Sequence, residues 1–186
     1  MKFIAVLLAG LAGTAHALDV RPMAKFGTEF GGNTVVVAEF TNGDTDTIGA
    51  HEGFYVGGGV ALFPQGTNLE IDVSLAFKFA TIEARNGDIE WTRWPLEALV
   101  FYRWPRWRAG GGPVYHLSPT LDGDGAAGDL KVRFKNALGA VLQADLRITE
   151  GLSVGARYTF LRYDAKDPAE EGARSNGWGV ALSFNF

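Results

Sequence analysis

The sequence predicts an all-β fold, an antiparallel barrel of eight strands. Three observations support this prediction. Helical 3.6-residue periodicity is hard to find after residue 17. Short and long connections take turns along the chain. Apolar and polar residues alternate with a period of two, which is the pattern of strands with two unlike faces. This alternation occurs in eight segments, at roughly 22–40, 50–64, 69–83, 91–104, 107–120, 132–148, 152–164 and 176–186.

The first 17 residues have the three parts of a secretory signal peptide. Lys2 supplies the positive charge, an apolar run extends from Phe3 to Leu11, and Ala15-His16-Ala17 has the A-x-A form of a cleavage site. The run is shorter than the roughly 20 residues of a transmembrane helix. We therefore predict that residues 1–17 are a signal peptide and that residues 18–186 form one domain. The alternative is a buried N-terminal helix.

The composition of the 186-residue chain excludes several classes of protein. Cysteine is absent, so an exported domain must be stable without disulfides. Loss of Lys2 takes the formal net charge from −4 to −5, which gives no indication of a nucleic-acid partner. The sequence has no P-loop, zinc motif or nucleotide fingerprint, and its acidic loops lack the ligand spacing of an EF-hand. We therefore expect no cofactor and no metal site.

The short connections predict the register of neighbouring strands. A three-residue turn at 149–151 places Gln143 opposite Arg157, so that polar residues of both strands lie on one face. A two-residue Pro-Arg turn places Arg103 opposite Arg108, again polar against polar. The alternation and the turn lengths are therefore consistent with each other.

The size of the apolar residues decides between a membrane barrel and a soluble, lipocalin-like barrel, whose apolar face lies inside. An eight-stranded barrel has room inside for side chains only. Bulky aromatic residues on one face, with charged and small residues on the other, therefore fit an exterior that contacts lipid. The bulky face contains Leu75, Phe77, Phe79, Trp94, Leu96, Val100, Tyr102 and Trp104.

Alternating short and long connections are typical of outer-membrane barrels, which have short periplasmic turns and long extracellular loops. The predicted extracellular loops are 41–49, 84–90, 120–130 and 165–175. Tryptophans near the segment ends predict aromatic girdles at the two membrane interfaces, formed by Trp91, Trp94, Trp104, Trp107 and Trp178. The sequence thus predicts a protein of the outer membrane with both termini in the periplasm.

The signal peptide, the eight alternating segments and the final hairpin "LSVGARYTF…GWGVALSFNF" resemble the small outer-membrane β-barrel superfamily of opacity-type, OmpA-like and OmpW-like porin-family proteins. The resemblance extends over residues 18–186. It implies an eight-stranded barrel in contact with outer-membrane lipid and lipopolysaccharide. It also implies that the terminal aromatic residue, Phe186, is the assembly signal read by the barrel-insertion machinery.

Charged residues on the inward face predict a network inside the barrel. Its members are Glu70, Asp72, Lys78, Arg93, Glu97, Asp145 and Arg157. Because buried charges must be paired, and because eight strands leave no aqueous channel, we expect these residues to pair and plug the lumen. A proton or ion path is the alternative.

His116 and Ser118 are a candidate pair for nucleophilic catalysis. Residues two apart on a strand share a face, so they could act as base and nucleophile. His-x-Ser in a small outer-membrane barrel is similar to the pair of the lipid A 3-O-deacylase family. That pair lies near the penultimate strand and acts with a carboxylate, whereas here three segments follow and no acid lies at the matching distance beyond Ser118. The alternative is a histidine at the rim of the lumen.

The run "GGGPV" at 110–114 predicts a bulge or a bend, because Pro113 removes a ladder hydrogen bond from a sheet without a free edge. Local curvature that helps to close the barrel would be one consequence. A lateral opening is the alternative.

The predicted function is that of a non-enzymatic, integral outer-membrane barrel with a structural, surface-binding or adhesin-like role. A surface ligand would bind through the four outer loops. Two alternatives remain open. One is an enzyme that modifies lipid A or phospholipid through His116 and Ser118, and the other is a narrow channel for small or hydrophobic solutes.

Overall fold

The computed structural model describes residues 18–39, 45–84, 87–124, 130–166 and 172–186. The signal peptide predicted at 1–17 lies outside these ranges and remains a prediction. Among the described residues, no helix has the length and apolar character needed to cross a membrane.

The described residues form strands along almost their whole length. In chain order they are β1 (Leu18–Gly31), β2 (Thr34–Glu39), β3 (Thr45–Gly49), β4 (Gly53–Pro64), β5 (Leu69–Ala84), β6 (Gly87–Arg103), β7 (Trp107–Gly123), β8 (Leu130–Arg133), β9 (Ala137–Arg147), β10 (Leu152–Phe160), β11 (Arg162–Tyr163), β12 (Ala173–Arg174) and β13 (Gly177–Asn185).

Eight of these strands form a closed antiparallel barrel, so the predicted fold class is confirmed. Their order around the barrel is β1, β4, β5, β6, β7, β9, β10 and β13. The last strand pairs with the first through a continuous ladder from Met23↔Asn185 to Gly31↔Gly177. The alternation that continues to the C-terminus therefore belongs to a strand with hydrogen-bonded neighbours on both sides.

The other five strands lie at the end of the barrel that has the long connections. β2 pairs with β3, β8 extends along β7, and β11 pairs with β12. We call this end the loop end. The opposite end, which has the short connections at 65–68, 104–106 and 148–151, is the turn end.

The four long loops predicted from the sequence include residues that the structure assigns to strands. Strands occupy parts of all four, at 45–49, 87–90, 120–123 and 173–174. Residues 40–44, 85–86, 125–129 and 167–171 of these connections lie outside the described ranges. The strands continue past the barrel wall because their inward side chains form an apolar core at the loop end, described below.

The register predicted at the turn end is present in the structure. Gln143 pairs with Arg157, and Arg103 pairs with Arg108. The predicted bulge at 110–114 was wrong, because β7 pairs regularly with β6 and β9 through this run. The register shift on β7 lies at Ser118, whose φ of 48° is in the left-handed region.

The outward face of the barrel carries an apolar belt. Trp94 of β6 and Trp104, which directly follows that strand, are both about half exposed and lie ten residues apart. At about 3.3 Å per residue and a strand tilt of about 40°, this separation is about 25 Å along the barrel axis, the height of the apolar belt of outer-membrane barrels. Exposed apolar residues between these two levels include Leu96, Val100, Tyr102, Leu142 and Val180.

The structure corrects one residue of the predicted aromatic girdle. Trp94, Trp104, Trp107 and Trp178 are exposed on the outward face, whereas Trp91 is fully buried inside. Trp91 precedes Trp94 by three residues on β6, so strand alternation puts the two side chains on opposite faces. The alternation of side chains along the strand therefore predicted the face of a tryptophan better than its position near the end of a segment did.

Candidate functional site

The interior of the barrel holds buried charges of both signs. Among the described residues the buried cations are Lys25, Lys78, Arg93, Arg108 and Arg157, and the buried carboxylates are Glu29, Glu70, Asp72, Glu97 and Asp145. All seven residues of the predicted network belong to this set. The formal charges of the set balance, as the burial of so many ionised groups requires.

Small residues on the inward face make room for these side chains. A Cβ at Gly179 would overlap the side chain of Glu29, and a Cβ at Gly177 would overlap the ring of His51. A Cβ at Gly155 would overlap the carboxylate of Asp145 in the same way. The glycines of β10 and β13 therefore provide the space that the charged side chains fill.

At the turn end, one guanidinium binds three carboxylates. Arg108 Nε donates to Asp145 Oδ2 at 2.7 Å, and its Nη1 donates to Glu70 and, at 3.1 Å, to Asp72 Oδ2. Gln143 Nε2 also donates to both carboxylate oxygens of Asp145 at 3.0 Å. This turn-end cluster has three carboxylates for one arginine and a formal charge of −2.

In the middle of the barrel, two carboxylates are shared among three cations. Glu97 accepts from Lys25 and Arg157, and Arg157 Nε lies 2.8 Å from Glu29 Oε1. Glu29 also accepts from Lys78. These residues connect β1, β5, β6 and β10 across the lumen, so the ion pairs occupy the cross-section of the barrel.

Arg93 lies inside the barrel but has no ion pair among the described residues. Its Nη2 donates to the carbonyl of Glu52, and its Nη1 lies 3.4 Å from the carbonyl oxygen of Trp91. Its guanidinium also lies 5.0 Å from the ring centroid of Trp91. Arg93 therefore marks the transition from the ion pairs to the apolar core at the loop end.

His51, between β3 and β4, forms a buried chain with a serine and a glutamate. Its Nδ1 lies 3.2 Å from Ser175 Oγ, and its Nε2 lies 3.4 Å from Glu29 Oε1. Burial, together with the positive charge of Lys78, lowers the pKa of His51 from 6.5 to about 4. Ser, His and carboxylate are the groups of a hydrolytic triad, and here all three side chains are buried.

The structure separates the two residues predicted as a candidate catalytic pair. His116 is buried and its Nδ1 lies 2.5 Å from the hydroxyl of Tyr163. Ser118 is exposed on the other side of the wall, since the extra residue at the bulge reverses the alternation. The expectation that the two share a face was therefore wrong. Burial also raises the pKa of Tyr163 to about 12, so its hydroxyl stays neutral.

The loop end of the barrel is filled by an apolar core. Trp91 is at its centre, with edge-to-face contacts to Phe134 and Tyr163 at centroid distances of 5.3 and 5.4 Å. The indole N–H donates to the carbonyl of Ala50 at 3.1 Å. Other buried members include Val36, Ile48, Ile82, Ile89, Leu121, Ala137 and Leu161. The hairpins at this end are therefore held by packing as well as by strand pairing.

A groove of about 360 Å³ lies on the outer wall just beyond Trp94, toward the loop end. Lys131, Arg133 and Lys166 contribute exposed cations to it, together with the hydroxyl groups of threonines and of Ser118. Asp122 is the carboxylate in its lining, and its Oδ1 lies 2.6 Å from Lys131 Nζ. The groove is suited to an anionic ligand. Sequence reasoning did not identify it, because Lys166 comes from a segment far along the chain from Lys131 and Arg133 of β8.

Comparison with known proteins supports the fold. No protein-family model matches the sequence, and no curated protein matches it significantly. The structure of Ail, the attachment invasion locus protein of Yersinia pestis, in complex with the heparin analogue sucrose octasulfate, is similar at a TM-score of 0.56 with 11% identity, covering 90% of this chain and 97% of Ail. Neisserial surface protein A (NspA) is similar at a TM-score of 0.51 with 13% identity, covering 91% and 99% of the two chains.

The chain has the fold of the small outer-membrane β-barrels. Both similar proteins are covered almost completely, so the similarity applies to the whole barrel. At these identities it concerns architecture and does not extend to ligands.

Proposed function

We propose that this protein is an integral outer-membrane barrel that does not conduct and that binds ligands at its loop end. The observation that carries the proposal is the filled interior. Ion pairs occupy the lumen from the turn end to Glu29, and the apolar core around Trp91 occupies it from there to the loop end. A barrel filled in this way has only its surfaces left for function.

The outer face supports membrane insertion. Its apolar belt is bounded by exposed tryptophans, Trp94 and Trp178 toward the loop end and Trp104 and Trp107 toward the turn end. In this orientation the loop end faces outward and contacts lipopolysaccharide, and both termini are periplasmic. Phe186 is then placed for recognition by the barrel-insertion machinery.

The cationic groove is the proposed binding site at the loop end. Lys131, Arg133 and Lys166 are the three cations of the groove, of which Lys131 is paired with Asp122. Arginine and lysine bind sulfate and phosphate groups of polyanions. The structurally similar Ail was solved with a sulfated heparin analogue. We therefore propose a sulfated or phosphorylated glycan as the surface ligand, which would give the protein an adhesin-like role.

A binding measurement on the folded protein tests this proposal. Heparin oligosaccharide is titrated into the barrel in lipid nanodiscs, with the double variant K131Q/R133Q as the test and Arg106→Gln, at the turn end, as the control. We expect binding that weakens with added salt, is reduced by about tenfold or more in the double variant and is unchanged in the control. Equal binding by all three proteins, or no binding at low salt, would rule out this site.

A further inference from the structure

A surface pocket of about 380 Å³ opens at the turn end, far from the proposed ligand site. Its lining consists of Asn68, Tyr102, Arg103, Trp104, Pro105 and Arg147. Trp104 and Tyr102 are both exposed on the outward face of the barrel, at the level of the turn-end tryptophans. Tryptophan and tyrosine at this level lie among lipid headgroups. The pocket therefore opens toward the membrane interface.

The arginines in and beside this pocket have few counter-ions. The nearest carboxylate to Arg103 is that of Glu70, with 4.0 Å between Nε and Oε2. Among the residues that the structure describes, neither Arg106 nor Arg147 takes part in an ion pair. Arg147 Nη1 lies 3.4 Å from the carbonyl oxygen of Trp104, at the limit of a hydrogen bond. The guanidinium of Arg147 is thus available to an anion, and that of Arg103 has only the distant carboxylate of Glu70 as its counter-ion.

Two neutral groups complete the donor set. Asn68 Nδ2 donates to the hydroxyl oxygen of Tyr102 at 3.2 Å, which leaves the Tyr102 O–H free to donate in turn. The guanidinium of Arg103 is held 4.7 Å from the ring centroid of Phe63, which fixes its direction. Planar guanidinium groups with a nearby hydroxyl donor match the oxygens of a phosphate.

We propose that this pocket binds the phosphate of an anionic phospholipid in the periplasmic leaflet. A lipid is favoured over a soluble anion because the exposed rings of Tyr102 and Trp104 form one side of the pocket and continue into the apolar belt. The headgroup would contact the arginines while the acyl chains lie along the outward face. This site requires insertion in the membrane but is independent of ligand binding at the loop end.

Native mass spectrometry of the whole chain released from nanodiscs tests the proposal. The nanodiscs contain phosphatidylcholine alone or an equal mixture with phosphatidylglycerol. We expect the wild-type barrel to retain phosphatidylglycerol selectively, with the selectivity falling about fivefold for each arginine replaced in R103Q and R147Q. The double variant K131Q/R133Q removes the same charge at the loop end and should keep the full selectivity.

Three outcomes would overturn the proposal. They are unchanged selectivity in the R103Q/R147Q double variant, equal loss in the loop-end control, and displacement of the lipid by millimolar inorganic phosphate, which would indicate a site for the free anion. If replacement of Arg103 prevents folding, Arg147→Gln alone is the test variant, because the side chain of Arg147 is partly exposed. A protein that fails to insert into the nanodisc would contradict the proposed function instead.

Discussion

At the scale of single residues, the interior depends on a few side chains that each bind several partners. Arg108 contacts the three carboxylates Glu70, Asp72 and Asp145. Glu29 is likewise within 4.0 Å of Lys78, His51 and Arg157. Removing one such residue leaves several buried charges without a counter-ion, and this costs more than the loss of one exposed pair.

Replacement of Arg108 with alanine should therefore destabilise the barrel strongly. The expected loss is about 3–5 kcal/mol in the free energy of unfolding, because three carboxylates stay buried without their cation. Urea unfolding in detergent micelles, followed by circular dichroism, measures it. Arg106→Ala is the matched control, since Arg106 is exposed two residues away, and it should change the stability by less than about 0.5 kcal/mol. Equal effects of the two substitutions would show that the turn-end cluster does not stabilise the fold.

His51 predicts a specific dependence of stability on pH. Burial lowers its pKa from 6.5 to about 4 in the folded state, and the unfolded chain recovers the ordinary value of about 6.5. Between these two values the unfolded chain binds more protons, so the free energy of unfolding falls as the pH falls. The contribution is fully present above about pH 6.5 and is lost below about pH 4, with a total of about 3 kcal/mol.

The variant His51→Gln isolates this contribution, because other buried carboxylates also titrate in acid. The difference in urea midpoint between wild type and variant should shrink as the pH falls from 7.5 to 4. A difference that is constant over this range would mean that His51 keeps an ordinary pKa in the folded protein.

At the scale of the strands, alternation predicted the orientation of side chains better than position along the strand did. Even-numbered residues from Trp94 to Tyr102 face outward, and Glu97 faces inward, as parity requires. Parity would also have placed Trp91 inside, and would have found Lys25 and Glu29, which alternate with Phe26 and Phe30. Trp91 was assigned to the wrong face, and Lys25 and Glu29 were missed, although the alternation in the sequence indicates that all three face inward.

Other features of the strands had no signal of this kind. Ser118 departs from the alternation because an extra residue in β7 shifts the register, and the bulge is not marked by glycine. His51 enters the lumen from a connection between strands, where no periodicity applies. The apolar core at the loop end joins residues from separate hairpins, such as Val36, Leu121 and Phe134. Such contacts depend on tertiary packing and could not be derived from local patterns.

The two tryptophans of β6 distinguish the apolar core from the membrane girdle. Trp91→Ala should cost about 3–5 kcal/mol in the free energy of unfolding, because it leaves a large cavity against Phe134 and Tyr163. Trp94→Ala, on the lipid-facing side of the same strand, should cost clearly less. Both free energies of unfolding are measured by incubating the protein with increasing urea and following the loss of the folded, heat-modifiable band in electrophoresis. If Trp94→Ala has the larger effect, the apolar core does not hold the loop end together.

At the scale of the whole molecule, the buried charges are arranged asymmetrically along the barrel. The turn-end cluster contributes a formal charge of −2, from Arg108 against Glu70, Asp72 and Asp145. The remaining buried residues contribute +2, from Lys25, Lys78, Arg93 and Arg157 against Glu29 and Glu97. The two halves attract each other and leave a neutral interior. The sequence indicated which residues lie inside, but the division into two halves required the three-dimensional contacts.

Closure of the barrel by its last strand predicts the effect of a truncation. The Phe186 amide donates to the carbonyl of Pro22 at 3.0 Å, and the side chain of Phe186 is 74% exposed. Deletion of Phe186 should therefore reduce assembly into the outer membrane while changing the stability of refolded protein only slightly. Phe186→Trp keeps an aromatic terminus and should assemble normally. Normal levels of folded, heat-modifiable protein in cells that express the deletion would contradict the role of Phe186 as an assembly signal.

The central claim is that the interior is filled, and single-channel recording in planar lipid bilayers tests it most directly. Wild-type protein whose insertion is verified by electrophoretic mobility should show no discrete conductance steps, because ion pairs and the apolar core fill the lumen between the described strands. Regular ohmic steps from the wild-type protein that change with Glu97→Gln in the lumen, and not with Lys131→Gln on the outer wall, would contradict the account and indicate a channel.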